Sequence, residues 1–157
     1  MESEQNKMTG RELKISRILN APIELVWEVL TNPDHVKNWW GPDGFTNSIS
    51  VMDVHPGGKW DLIMHGPDGR DYENHSVFRE IVNYKRIVFE HLSFPRIIFT
   101  IEFEKIGSKT RLNWHMLFDS VEIMNLVVRE NNAAEGLRQN IEKLSIYLSR
   151  QFQDIQN

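Results

Sequence analysis

Apolar and polar residues alternate with a period of two along most of this chain, the pattern of strands with one buried face. Residues 12 to 20, ELKISRILN, alternate in this way. Asn20-Ala-Pro-Ile-Glu then changes the period. Pro22 suits a first helical turn, Glu24 favours the positive end of a helix dipole, and Ile23, Val26, Trp27 and Leu30 share one helical face. Thr31-Asn-Pro-Asp ends that helix, and residues 34 to 40 predict a second short one. From there strand follows strand: 45–54, 59–65, 71–82, 86–92, 96–105 and 110–118. In the last two, Ile97, Phe99, Ile101 and Phe103 share one face, as do Leu112, Trp114, Met116 and Phe118, with polar residues opposite. Such a sheet is wetted on one side only, so another element must cover the other side. Segment 120–151 predicts that cover, because Leu137, Ile141, Leu144 and Leu148 form a stripe at helical spacing. The fold class is therefore α+β, a curved antiparallel sheet of about seven strands around a long C-terminal helix, with two short helices after the first strand. Where sheet and helix do not touch, a gap remains, and such gaps are common ligand sites.

Composition narrows the function classes. The 157 residues contain no low-complexity linker, which predicts one domain over 12–151, a flexible leader over 1–11 and a tail over 152–157. GPDG occurs at Gly41 to Gly44 and again at Gly66 to Gly69, in flanks so unlike that these are two similar turns and not a repeat. There is no cysteine, hence no disulfide, thiolate nucleophile or cysteine-ligated zinc. A net charge of −4 argues against a nucleic-acid partner. No apolar run approaches the roughly 20 residues of a membrane span. The polar start MESEQNKMTGRE lacks a signal peptide's apolar stretch, so the expected location is cytoplasmic, with no membrane partner. The unusual term is aromatic: five Trp and eight Phe, with six Met besides. That supply fits either an aromatic core or an apolar chamber.

Several strings carry a resemblance. Asn38-Trp-Trp-Gly-Pro-Asp-Gly-Phe-Thr, Met52-Asp-Val-His-Pro-Gly-Gly-Lys-Trp, Met64-His-Gly-Pro-Asp-Gly, Arg79-Glu-Ile-Val, and Gly136 with Asn140-Ile141 together resemble the family named after the activator of the heat-shock-protein-90 ATPase. That family belongs to the START-like, or SRPBCC, superfamily. The resemblance spans roughly residues 12 to 151 and implies a helix-grip fold, in which a seven-stranded sheet grips the C-terminal helix around an apolar cavity. It implies no general catalytic signature. The eukaryotic namesakes stimulate a chaperone but carry a further N-terminal domain, which counts against a full ATPase activator here. Two positions depart from the family pattern. His55 stands where Arg is common, and Leu137 stands where Trp is common, a swap expected to enlarge or reshape the cavity.

The expected cavity lining is Trp39, Trp40, Phe45, Trp60, Leu62, Met64, Phe78, Phe89, Phe99, Ile101, Phe103, Trp114, Met116, Leu137 and Ile141. Adjacent Trp39 and Trp40 cannot share one environment. Trp40 is expected to anchor the turn and Trp39 to sit nearer the entrance. Polar candidates are Glu80, an inward carboxylate by parity with Phe78 unless it pairs with a cation at the sheet edge or the parity shifts, together with His91 and Asn140. The histidines show no metal-ligand spacing, the glycines form no phosphate loop, and no Ser/His/Asp motif is present. Neither a metal, a cofactor nor a catalytic residue is therefore expected. The leading expectation is a binding protein for an apolar or amphipathic small molecule. Two alternatives stay open: a chaperone-linked or stress-response protein with a protein partner, and an enzyme that uses the cavity for cyclisation, hydrolysis or dehydration.

Overall fold

The structure is a computed structural model that describes residues 5–130 and 132–156. The elements follow the predicted order. Strand β1 (Gln5–Thr9) precedes β2 (Glu12–Leu19), and α1 (Ile23–Thr31) and α2 (Pro33–Val36) come next. A meander of six strands follows: β3 (Thr46–Met52), β4 (Lys59–His65), β5 (Asp71–Val82), β6 (Arg86–His91), β7 (Ile97–Ile106) and β8 (Lys109–Phe118). The C-terminal cover consists of α3 (Val121–Asn125), a π-helical turn (Leu126–Glu130) and the long α4 (Ala133–Gln156).

Among the described residues the sheet has eight strands in the order β1-β2-β8-β7-β6-β5-β4-β3, all neighbours antiparallel. The two short helices thus carry the chain from β2 near one edge to β3 at the other. Seven of the strands, from β2 to β8, form the expected curved sheet around α4. The eighth, β1, lies in the stretch read as a leader and pairs with β2 from Gln5↔Ser16 to Thr9↔Glu12. The helix boundary also extends at the other end, where α4 runs through most of the stretch read as a tail.

Local chemistry explains the breaks. Asn32 caps α2 by accepting from the Asp34 N–H at 2.9 Å, with Pro33 in the first turn. Ser120 caps α3 through a bond from the Ile123 N–H. The cover expected as one helix breaks before α4 at Asn132, whose φ is 56°, a left-handed conformation that asparagine tolerates. Bulges between Ile49 and Val51 in β3 and between Phe78 and Glu80 in β5 bend the sheet. The core sits between the concave face, α1 and α4, where Leu19, Val26, Phe118, Leu144 and Leu148 are sealed from solvent.

Candidate functional site

Helical geometry separates the two adjacent tryptophans. Past α2 the backbone keeps turning, with the Lys37 N–H bonded to Pro33 O and the Trp40 N–H to Val36 O at 3.0 Å. Consecutive side chains therefore diverge by about a quarter-turn. Trp39 enters the core, 1% exposed, and its Nε1–H donates to Val29 O at 3.2 Å. Trp40 is half-buried and lines a cavity, its ring 4.8 Å from that of Trp60 and 5.9 Å from that of Trp114. The expected roles are reversed: Trp39 is the anchor and Trp40 the lining ring.

The Gly41–Phe45 turn then roofs the site because α4 holds it. Asn140 Oδ1 accepts from the Gly41 N–H at 3.1 Å, Gln139 Oε1 accepts from the Asp43 N–H at 3.1 Å, and Lys143 Nζ donates to Pro42 O at 3.1 Å. Burial pushes the Lys143 ammonium below its ordinary pKa, and nearby Asp43 opposes that shift. Gly41 is held to glycine chiefly by its backbone. Its φ is +94°, and a Cβ would stand 2.8 Å from Met64 Cε.

The cavity measures about 280 Å³. Its sheet wall is Trp60, Leu62 and Met64 from β4, Asn74 and Ser76 from β5, Phe89 and His91 from β6, Ile97 and Phe99 from β7, and Trp114 and Met116 from β8. Its helix wall is Asn132, Ala133, Gly136, Leu137 and Asn140, and Trp40, Gly41 and Pro42 complete it. Rings dominate: Phe89 stacks on Phe99 at 4.5 Å and meets Trp60 edge-on at 5.0 Å. No Asp, Glu, Lys or Arg lines it among the described residues. His91 Nδ1 lies 2.9 Å from Pro95 O and its Nε2 lies 2.8 Å from Asn74 Oδ1, while the Asn74 amide donates to Tyr72 O. The buried Nε1–H groups of Trp60 and Trp114 have no hydrogen-bond partner among the described residues.

Of the residues expected to line the cavity, Trp40, Trp60, Leu62, Met64, Phe89, Phe99, Trp114, Met116 and Leu137 do so, with His91 and Asn140. The others lie elsewhere. Ile101, Phe103 and Ile141 are buried in the closed part of the core, Phe103 against the Trp27 ring at 5.1 Å. The sheet's twist brings only one end of each strand over the cavity, so residues on the correct face still fall outside it. Phe78 stacks on Trp60 at 5.8 Å from the core side, and Phe45 packs against Tyr72. Glu80 is the clearest correction. The bulge in β5 reverses its parity, so it points outward, half-exposed, and receives two bonds from Arg86 at 2.8 and 3.1 Å. That guanidinium holds its carboxyl below, not above, the usual carboxylate range. Sequence reasoning passed over Asn74, Ser76 and the small residues Ala133 and Gly136. The available signal for Ser76 was its shared parity with Phe78.

Histidine–carboxylate clusters also lie outside the cavity. On the outer face, Ser48 Oγ is 2.8 Å from His65 Nε2, and His65 Nδ1 is 2.7 Å from Asp71 Oδ1. This is the hydrogen-bond order of a hydrolytic triad, but Ser48 and Asp71 are exposed to solvent. His115 Nε2 contacts Glu12 at 2.6 Å and lowers that carboxyl's pKa. No group of three or more metal-ligating side chains occurs among the described residues. Nor is any helix there long and apolar enough to cross a membrane.

A family model, Activator of Hsp90 ATPase homolog 1-like protein, matches residues 20–149. Solved structures agree in fold. A crystal structure of a protein from Nitrosomonas europaea is 27% identical, with a TM-score of 0.82, covering 89% of this chain and 95% of that one. A solution structure of a protein from Arthrobacter aurescens is 23% identical, with a TM-score of 0.86, covering 94% and 91%. No curated protein sequence matches the chain significantly.

Proposed function

This chain belongs to the family of Activator of Hsp90 ATPase homolog 1-like proteins, within the START-like superfamily, and from that premise we propose that it binds a small apolar or amphipathic molecule between sheet and helix without transforming it. The observation that carries this reading is the cavity of about 280 Å³ walled by Trp40, Trp60, Phe89, Phe99 and Trp114. A cavity of about 150 Å³ already accepts benzene, so at the same filling this one has room for a flat molecule of two to three fused rings. Burial of its apolar surface, worth about 25 cal/mol per Å², supplies the affinity. Native mass spectrometry of freshly purified protein tests the reading. The expected result is a stoichiometric adduct that denaturation releases as an apolar compound. A clean mass that stays unchanged on titration with a panel of two- and three-ring compounds overturns it.

A protein partner, such as a chaperone, has one observation in its favour. Leu92, Phe94 and Ile98 expose apolar side chains within one short stretch, Phe94 at 69%. If that stretch is the working surface, Phe94→Ser abolishes partner capture and leaves small-molecule binding intact. Catalysis has less support. His91, the one titratable side chain in the lining, has both ring nitrogens engaged, and the Ser48–His65–Asp71 chain stands in open water.

A further inference from the structure

The polar groups of the cavity wall are few, and most are already engaged. His91 and Asn74 contact each other and the backbone, which holds both against the sheet. Asn140 uses its oxygen to hold the Gly41 N–H, while its amide N–H₂ makes no hydrogen bond among the described residues. Ser76 pairs in register with Trp60 on one side and His91 on the other, which places it on the inner face of the sheet. It is 6% exposed, lines the cavity, and its hydroxyl makes no side-chain hydrogen bond among the described residues. One free polar group therefore comes from the sheet wall and one from the helix wall, in a lining that carries no Asp, Glu, Lys or Arg.

A buried donor without a partner costs free energy that an acceptor oxygen recovers, whereas a buried charge without a counter-charge costs far more. We propose that the cavity selects uncharged ring compounds bearing a carbonyl or hydroxyl oxygen, anchored by the Ser76 hydroxyl and the Asn140 amide. This rests on the binding function proposed above and adds the chemical class of the guest and the two residues that recognise it. Binding is non-covalent, and no bond is made or broken.

Fluorene and 9-fluorenone form a matched pair of probes, nearly identical in shape and differing by one carbonyl oxygen. NMR titration of the intact protein, read at the indole N–H resonances, gives occupancy and affinity together. The expected result is that fluorenone binds about five- to tenfold more tightly than fluorene, the range of one net hydrogen bond. Ser76→Ala deletes one anchor with little change of volume. Asn140→Asp keeps the acceptor for the Gly41 N–H and removes the donor. Each variant should shrink the preference to about twofold, while fluorene affinity changes little in Ser76→Ala. Equal affinity of the two probes for the unmodified protein overturns the polar selection and leaves the binding function standing. A preference undiminished in both variants overturns the assignment to Ser76 and Asn140. Failure of both probes to bind overturns the binding function and this inference with it.

Discussion

The two ends of α4 meet the same sheet in opposite ways. Its first two turns present Ala133, Gly136, Leu137 and Asn140, and the sheet opposite answers with rings that do not reach them, so a cavity remains. Its later turns present Ile141, Leu144 and Leu148, at most 1% exposed, in a core shared with α1 and β2. Both ends follow the same helical stripe. The difference lies in side-chain volume on the helix and in the angle at which the twisted sheet departs from it. A grip of this kind divides its labour along one helix, with stability concentrated at the closed end and room for a guest at the open one.

The largest effect that checks this division is on stability. Leu144→Ala removes a fully buried side chain from the closed end and should cost about 3 kcal/mol in denaturant unfolding. Leu137→Ala, at the cavity edge, should cost less than half of that, because its neighbours already lack contacts on one side. Equal losses would show that the open end is packed as tightly as the closed one in solution. Next in size is an effect on binding. Leu137→Trp puts a ring into the cavity and should weaken fluorenone binding at least thirtyfold, roughly 2 kcal/mol, with little loss of stability. Retained affinity would place the guest outside the grip.

The same division explains what was legible in the sequence. Alternation and the helical stripe disclose which residues face inward, because burial on one face imposes a period. They carry no information about position along the inner face. Ile101 and Phe103 share a face with Ile97 and Phe99, yet only the latter two line the cavity. That depends on twist, which is a property of the assembled sheet. Glu80 failed for a different reason: one extra residue in β5 reverses parity, and no local residue type announces it. Trp39 and Trp40 were separable in principle but not assignable, since a quarter-turn says that they diverge and not which one meets α1. The polar anchors were hardest. Ser76 follows the polar run Glu73-Asn74-His75 and reads as part of it until the register sets it between Trp60 and His91.

A smaller effect sharpens the contrast across the sheet. Trp114 lines the cavity, whereas Arg111 on the same strand reaches Glu104 on the opposite face at 2.9 Å. Trp114→Leu keeps an apolar inner residue but loses ring area, and should weaken fluorenone binding about fivefold. Arg111→Ala removes an exposed pair of little energetic weight and should leave affinity within about twofold. Equal effects, with stability controlled, would refute the assignment of the inner face.

The smallest expected effect concerns how the sheet is held behind the cavity, where inner packing is incomplete. There Glu90 on β6 receives bonds from Arg79 on β5, at 2.8 and 3.1 Å, and from Arg96 just ahead of β7. The Arg96 and Arg79 guanidinium groups hold its carboxyl below the ordinary value of 4.5. A carboxylate whose folded pKa is depressed contributes stability above its unfolded pKa and loses that contribution as pH falls through the folded value. The contribution is therefore complete at neutral pH and disappears below about pH 4.5. Glu90→Gln should lower stability slightly at pH 7 and flatten the acid limb of the stability profile, measured by denaturant unfolding between pH 7 and pH 3. Glu12→Gln, which removes the His115 pair on the outer face behind Trp114 and Met116, should give the smaller change. Its side chain is more exposed than that of Glu90, 39% against 12%, so water screens the pair more fully. An acid limb unchanged by Glu90→Gln would mean that the arginine clasp does not brace the open half, and that ring packing inside the cavity holds those strands together.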